Sequence, residues 1–230
     1  MALAGLKILA LDTSTEYCSV ALWHDGSIDT RETAAGQAHS QLLLPMVDEL
    51  LQQHAVVLKD LDGIAFGRGP GSFTGLRIAC GVTQGLAFGA GLPVVGVSTL
   101  LALAEAIQAE RALCCLDARM GEIYHAAYIR EGGEWRAVHE ASLCPPDAAP
   151  SLPPGAWTGC GGGFAAYGEV LQRRYAGCLA EVRPEVYPHA REIARLGARE
   201  LEQGRGVPAE QALPVYIRDK VALRSDERPT

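Results

Sequence analysis

The sequence predicts an α/β fold of two similar lobes, residues 1–105 and 106–230. Short apolar stretches alternate with segments of helical periodicity, as in proteins built on mixed or parallel sheets. An apolar strand that ends in an aspartate and leads through a turn into a second strand occurs twice, at half-chain spacing. With 230 residues and 48% hydrophobic residues, the chain is long enough for two lobes of roughly 100 residues, each with its own core.

The first lobe opens with a hairpin and a helix. Residues 7–11 form a short apolar strand that ends at Asp12, and residues 17–23 form a second strand after a Thr-Ser-Thr turn. Residues 39–54 carry apolar side chains at helical spacing, and Pro45 either kinks this helix or begins its second half.

The rest of this lobe alternates strands and helices. Residues 61–66 are typical of a buried strand, and residues 74–88 of a helix. Residues 93–97 form another strand, and Ser98 is a suitable N-cap for a helix that ends at Ile107.

The second lobe repeats this opening. Residues 113–116 end in Asp117 and lead into residues 122–128, as the first strand ends in Asp12 and leads into the second. This pattern indicates a duplication, with chance similarity as the alternative. A gapless offset of 105 residues aligns Leu11 with Leu116, Asp12 with Asp117, and Ala21 with Ala126.

Later segments are less regular. Residues 144–155 are rich in proline and indicate a connection, while the glycine cluster 159–163 is either a strand-to-helix turn or a cleft wall. Residues 187–203 form a helix that stops at Gly204, and the polar tail 224–230 is expected to fray. The last segment is expected to return toward the first lobe.

Composition narrows the function classes. A net charge of −7 and a pI near 5.4 argue against a free-standing nucleic-acid binder. Seven cysteines without a C-x-x-C pair indicate a reducing cytoplasm, and six scattered histidines disfavour a local zinc site. We expect neither a secretory signal nor a membrane helix, because the most apolar segment, residues 76–97, contains Arg77, Gln84 and Pro93.

A glycine-rich segment, residues 67–77, resembles a phosphate loop but lacks its essential parts. No register meets the Walker or dinucleotide spacing, and the segment has no lysine. Its backbone N–H groups and the following helix start still make an anion site conceivable. An aspartate that follows a strand either coordinates a metal-nucleotide or, more often, stabilises a turn. Candidate anion or nucleotide contacts are Asp12, Ser14, Gly69, Gly71, Ser72 and Asp117.

The following helix carries a glycine stripe, Gly81, Gly85 and Gly89, at four-residue spacing. Each glycine costs the helix about 1 kcal/mol relative to alanine, so close packing of another helix is expected to offset the loss. That helix belongs either to a partner or to the same lobe. Arg68 and Arg77 flank the helix start, where they pair with a partner's acids or RNA phosphate, or form an internal salt bridge.

Several motifs resemble a known family. The hairpin aspartates are similar to those of the actin, hexokinase and Hsp70 superfamily, and the chain resembles the TsaB (YeaZ) family over residues 8–221. The resemblance implies an actin-like (ASKHA, ribonuclease-H-like) fold with duplicated βββαβα-type lobes. The motifs are residues 11–15, 67–77, 116–119 with 122–124, His39-Ser40 with 43–45, and 214–218.

The resemblance implies a cytoplasmic, non-catalytic role in tRNA threonylcarbamoyladenosine modification. Such proteins pair with TsaD, the catalyst, and with the ATPase TsaE, so tRNA contact would be indirect and a homodimer is expected in isolation. No cofactor is expected on this chain alone, whereas ATP and a metal are implied for the complex. TsaD-like metal binding needs two histidines four apart, but Leu43 stands four residues after His39.

The expected partner surface lies on the two helices of the first lobe. A small ATPase or phosphotransferase that uses the cleft between lobes is the alternative function. Candidate interface residues are His39, Leu43, Thr74, Arg77, Ile78, Gly81, Gly85 and Gly89.

Overall fold

The computed structural model describes residues 5–24 and 26–218, and the predicted frayed tail lies outside them. The described part contains two five-stranded mixed sheets with helices on both faces of each. None of its helices has the length and apolar character needed to cross a membrane.

The two sheets share one topology. The strand order is β3-β2-β1-β4-β5 in the first sheet and β8-β7-β6-β9-β10 in the second, with the same parallel and antiparallel pairings. The strands are β1 Lys7–Asp12, β2 Tyr17–His24, β3 Ser27–Ala34, β4 Gly63–Gly69, β5 Val94–Ser98, β6 Arg111–Arg119, β7 Glu122–Glu131, β8 Glu134–Cys144, β9 Trp157–Cys160 and β10 Leu179–Arg183. The matching order confirms the predicted duplicated α/β fold.

Five α-helices cover the sheets in the described part of the chain. Helices α1 and α2 pack on one face of the first sheet, and α5 packs on the other. Helices α3 and α4 pack on opposite faces of the second sheet. The helices are α1 His39–Gln53, α2 Phe73–Ala90, α3 Thr99–Ile107, α4 Gly162–Arg174 and α5 Ala190–Glu202.

Most predicted elements have a counterpart, with two differences in the first lobe. Helix α1 runs through Pro45 as a single element. The predicted strand 61–66 is shifted to Gly63–Gly69, because Gly67 and Gly69 pair with Val97 and Ser98 of β5. Part of the glycine segment is therefore strand, and its turn is confined to the residues between Gly69 and α2.

Ser72 caps α2, and its hydroxyl accepts a hydrogen bond from the Gly75 N–H. The glycine cluster before α4 also forms a strand-to-helix turn, in which Gly161 has a φ of +98°. A Cβ at Gly161 would overlap the Cys115 carbonyl oxygen. This cluster therefore serves close backbone approach between α4 and β6.

Helix α5 joins the first sheet although it follows the second sheet in sequence. Its Ile193 and Ala194 pack on Ile8 and Ala10 of β1 in one apolar cluster. A Cβ on Gly197 would overlap the Cβ of Ala65, so glycine is required for this close contact with β4.

Candidate functional site

Asp12 lies at the end of β1 and is completely buried. Its Oδ1 accepts hydrogen bonds from the Ser14 N–H, at 3.0 Å, and from the Ser14 hydroxyl, at 2.8 Å. Its Oδ2 has no partner among the described residues. Burial outweighs the two Ser14 hydrogen bonds and raises the pKa of Asp12 to about 7.

The glycine segment packs directly on the turn after Asp12. A Cβ on Gly67 would overlap Asp12 Oδ2, and a Cβ on Gly75 would overlap the carbonyl oxygen of Thr13. A Cβ on Gly71 would overlap the carbonyl oxygen of Ser14. Three glycines of this segment are therefore required by packing inside the lobe.

Two of the polar groups that an anion would use are already engaged. The Ser72 N–H donates to the Ser14 carbonyl oxygen at 2.7 Å, and the Thr13 hydroxyl donates to the Gly75 carbonyl oxygen at 2.7 Å. At Gly69, where φ is +110°, a Cβ would lie 2.8 Å from the Val215 carbonyl oxygen. The chain's own backbone thus occupies part of the cradle that a nucleotide phosphate would need.

Asp117, the counterpart of Asp12, has a different environment. It accepts a hydrogen bond from the Arg119 N–H at 2.7 Å and forms an ion pair with the Arg119 side chain at 3.1 Å. Tyr167 donates to the same carboxylate at 3.4 Å. Within the described chain, no hydrogen bond or ion pair joins Asp117 to Asp12. Asp117 lies near the end of β6, beside an irregularity in its pairing with β7, and these contacts stay within the second lobe.

Residues 213–218 cross from the glycine segment to the second lobe. The Val215 N–H donates to the Arg68 carbonyl oxygen at 2.7 Å. Arg77 stacks on Phe73, with its guanidinium carbon 3.8 Å from the ring centroid, and donates to the Tyr216 hydroxyl at 2.8 Å. The structure thus gives Arg77 an aromatic cage inside the chain, rather than the salt bridge considered above.

The glycine stripe of α2 is open. Gly81, Gly85 and Gly89 are exposed, and a Cβ added at any of them would meet no described atom within 4 Å. Phe88 is 80% exposed on the same face, seven residues after Gly81. Thr74 extends this face toward the helix start, and Ile78, partly buried against the core, lies at its edge. Among the described residues nothing packs on the stripe, which contradicts the alternative in which it packs within its own lobe.

His39 and Leu43, two further interface candidates on α1, lie on the core side of the helix. They are 6% and 0% exposed, so neither side chain is available to a partner in this structure. Leu44, the residue after Leu43, is 49% exposed on the surface of α1. Among the described residues, no group of three or more histidines, cysteines and acids could hold a metal ion.

Two contributors were absent from the sequence-based candidates. Phe88 was missed, although its seven-residue spacing from Gly81 placed it on the stripe. Tyr216 was missed as a partner of Arg77, because a contact over 139 positions leaves no local pattern. We call the side of α2 that carries Thr74, Ile78, Gly81, Gly85, Phe88 and Gly89 the glycine face.

Comparison with known sequences agrees with the fold and with the motifs. The sequence model of the family described as TsaD, tRNA N6-adenosine threonylcarbamoyltransferase, matches residues 32–225. The tRNA threonylcarbamoyladenosine biosynthesis protein TsaB of Escherichia coli K12 is 38% identical over 95% of this chain and 97% of its own length. TsaB of Haemophilus influenzae is 38% identical over 96% of this chain and 97% of its own length.

Solved structures give the same result. YeaZ from Pseudomonas aeruginosa superposes with a TM-score of 0.86 at 42% identity, over 92% of this chain and 99% of that one. A second structure from the same organism, described as an uncharacterized protein with similarity to the peptidase YEAZ, has a TM-score of 0.86 at 43% identity, over 93% and 100%. The chain therefore belongs to the TsaB (YeaZ) family of tRNA threonylcarbamoyladenosine biosynthesis proteins, which is related to the family that the TsaD model describes.

Proposed function

We propose that this chain is a non-catalytic partner that activates a TsaD-like transferase in the cytoplasm. In this role it binds TsaD, forms a complex that includes TsaE, and promotes the transfer of threonylcarbamoyl to the adenosine beside the tRNA anticodon. TsaD and TsaE supply the ATP and metal chemistry of the complex, and this chain contacts tRNA only through them.

The observation that carries the proposal is the glycine face. Three exposed helical glycines cost α2 up to about 3 kcal/mol relative to alanine, and nothing in the described chain packs on them to offset this cost. A side-chain-free stripe beside the exposed Phe88 favours close approach of another helix. The match to the TsaD family model supports TsaD as the source of that helix, since related lobes present related helices.

The same face supports a homodimer when TsaD is absent. Two copies can pair their α2 helices about a two-fold axis, because an isologous interface uses one patch twice. TsaD binding would then replace one copy by a related chain, so homodimer and heterodimer would exclude each other.

The alternative, an autonomous ATPase or phosphotransferase, has less support. Its phosphate cradle would have to form at the glycine segment, where the Ser14 carbonyl oxygen already accepts the Ser72 N–H. Asp12, its first metal-binding candidate, is completely buried and keeps an elevated pKa. A partner role needs none of these groups to change.

Substitution of Gly85 by leucine tests the glycine face. The new side chain enters open space in the isolated chain, so we expect a melting temperature equal to or slightly above that of the wild type. A leucine at the centre of the stripe holds a neighbouring helix away, so TsaD binding should weaken at least tenfold in calorimetric titration. Gly168→Leu is the matched control, because Gly168 is a helical glycine of α4 that also has no neighbour within 4 Å.

Reconstituted tRNA modification tests the function itself. TsaD and TsaE should modify tRNA poorly without this chain, well with the wild type or Gly168→Leu, and poorly with Gly85→Leu. Equal modification with and without the chain would refute the activator role. Full activity of Gly85→Leu would retain that role but show that TsaD binds elsewhere.

A further inference from the structure

A cavity of about 480 Å³ lies between the first sheet, α3, α5 and β7. It is larger than the narrow space beside the glycine segment, and its walls are mostly charged. Its lining includes Trp23, Glu105, Arg130, Arg191, Arg195 and Arg199. We call it the arginine cavity.

The arginine cavity is separate from the Asp12 turn. Trp23 pairs with Ile8 near the start of β1, whereas Asp12 pairs with Ser19 at the end of that strand. Four residues of extended strand between Ser19 and Trp23 span about 13 Å. The cavity therefore lies at the opposite end of β1 and β2 from Asp12 and the glycine segment.

The arginines come from two elements and converge on one space. Arg191, Arg195 and Arg199 follow each other at four-residue spacing on α5, so they lie on the same side of that helix. Arg130 approaches from β7 of the second sheet. The cavity thus concentrates four positive charges on a chain whose formal net charge is −7.

Two carboxylates balance only part of this charge. Glu105 is 4% exposed, and its Oε2 accepts a hydrogen bond from the Trp135 indole at 2.8 Å. It lies 3.8 Å from Arg130 and 3.7 Å from Arg199, which are ion-pair distances without hydrogen bonds. Glu192, a buried residue of α5, lies 3.8 Å from Arg195 on the same helix. The cavity keeps an excess of at least two positive charges even when both acids are ionised.

The guanidinium donors are largely unused. Among the described residues, Arg130, Arg195 and Arg199 have ion-pair or ring contacts but no side-chain hydrogen bond, and Arg191 has one to Thr30 at 3.5 Å. Each guanidinium carries five N–H donors in a planar arrangement suited to phosphate oxygens. Side chains of Arg130, Arg195 and Arg199 are only 28–35% exposed, so these donors are held in place.

The indole of Trp23 is a second, independent indication that the cavity binds a ligand. It lines the cavity, is 8% exposed, and its indole N–H has no hydrogen-bond partner among the described residues. A buried donor without a partner destabilises the folded chain, and a ligand acceptor would remove this cost.

We propose that the arginine cavity binds a compact polyphosphate anion, such as the phosphate chain of a nucleotide. Four convergent guanidinium groups supply charge-assisted and bidentate hydrogen bonds, and the volume is that of a small-molecule site. A concave site on an acidic chain favours a small ligand over an RNA backbone, which binds basic stripes and would meet repulsion outside the cavity. The proposal is independent of the pairing with TsaD.

Calorimetric titration of the full chain with sodium tripolyphosphate, in 0.1 M salt and without magnesium, tests the proposal. We expect saturable one-site binding that Arg195→Gln and Arg199→Gln each weaken at least tenfold. Arg191 is exposed, so Arg191→Gln should weaken binding without unfolding the chain. This variant still tests the proposal if Arg195→Gln or Arg199→Gln fails to fold. Arg173→Gln is the control, because it removes the same charge from an exposed position on α4, outside the cavity lining.

Titrations with ATP and with a pentameric single-stranded RNA distinguish the sources of phosphate. Tripolyphosphate should also raise the melting temperature of the wild type but not that of Arg195→Gln, because binding to the folded state alone stabilises it. ATP binding that competes with tripolyphosphate supports the proposal. The proposal would be overturned if tripolyphosphate showed no saturable binding at millimolar concentration, or if Arg173→Gln weakened binding as much as the cavity variants do. It would also be overturned if the cavity variants left ATP binding unaffected, or if RNA bound more tightly than tripolyphosphate at matched salt.

Discussion

At the scale of single residues, Asp12 illustrates how a familiar motif acquires a different chemistry. The sequence predicts Asp12 and the glycine segment as one candidate site, and the structure does bring Asp12, Ser14, Gly71 and Ser72 together. The sequence could not show that backbone atoms of the chain occupy this site, because the Ser14 carbonyl oxygen accepts from the Ser72 N–H across 58 positions of sequence. The spacing of the glycines in the sequence indicates a close approach of the backbone, but it does not show which atom a side chain there would overlap.

Alanine at Gly67 and Gly81 tests the two kinds of glycine in this chain. Gly67→Ala places a methyl group on Asp12 Oδ2, so we expect a loss of about 1–3 kcal/mol in the free energy of unfolding. Gly81→Ala adds the same methyl group in open space on a helix, where we expect a gain of up to about 1 kcal/mol. Urea unfolding measures both, and similar effects at the two positions would contradict the described packing.

The pH dependence of stability tests the environment of Asp12. Its pKa is raised from 3.8 to about 7 in the folded chain. Between these two pH values the folded state therefore holds a proton that the unfolded state has released. The stabilising contribution is complete below about pH 3.8 and is lost as the pH rises through 7. Relative to Asp12→Asn, the wild type should lose on the order of 4 kcal/mol between pH 4 and pH 8, at 1.36 kcal/mol per pKa unit.

Urea unfolding of both proteins at several pH values gives the comparison. The exposed Asp48→Asn controls for the loss of a carboxyl group at the surface. Parallel stability profiles of the wild type and Asp12→Asn would mean that Asp12 ionises normally in the folded chain.

At the scale of elements, the predictions succeed where burial leaves a pattern. Strands β1, β4 and β6 are nearly all buried, and their apolar runs are visible in the sequence. Strands β3 and β8 lie at sheet edges with mixed or polar side chains, so neither has a clear apolar alternation. Their pairing with β2 and β7, rather than any local preference, makes them strands.

The segment at residues 213–218 is an element without secondary structure that is held by specific contacts. Arg218 forms an ion pair with Glu122 at 2.7 Å and donates to the carbonyl oxygens of Ala118 and Arg119, at 3.1 and 3.3 Å. Its side chain is only 14% exposed. The segment therefore fastens the glycine segment of one lobe to the hairpin of the other.

Arg218→Ala should release this segment. We expect a loss of about 2 kcal/mol, typical of hydrogen bonds to a charged group, and faster hydrogen exchange at the Val215 amide. Arg136→Ala is the control, since Arg136 forms a solvent-exposed ion pair with Glu131 that should contribute little to stability. Unchanged exchange at Val215 in Arg218→Ala would show that the segment is held by other contacts.

At the scale of the whole molecule, the order of elements ties the two lobes together. The duplication could be predicted from the two hairpin motifs, because each lobe carries the same local signals, whereas the strand order comes from the structure. The position of α5 could not be derived from periodicity, which gives the helix and its apolar face but not the sheet that it covers. Packing on β1 and β4 decides this, through small residues such as Ala65 and Gly197.

Gly197→Leu should destabilise both lobes in one transition. The new side chain overlaps Ala65 and pushes α5 from the first sheet, for which we expect a loss of at least about 2 kcal/mol. Because α5 also packs on α3, beside the second sheet, hydrogen exchange should increase in both sheets together. Gly168→Leu on α4 is the control with free space around it, and protection that survives in one sheet would mean that the lobes unfold separately.

The return of α5 also has a consequence for synthesis on the ribosome. The strands of the first sheet are complete once Ser98 has been made, but the apolar face that includes Ile8 and Ala10 waits for α5, which begins at Ala190. At 5–20 residues per second, this delay is roughly 5–18 seconds. During translation this apolar face of the first sheet therefore stays uncovered until α5 has been made.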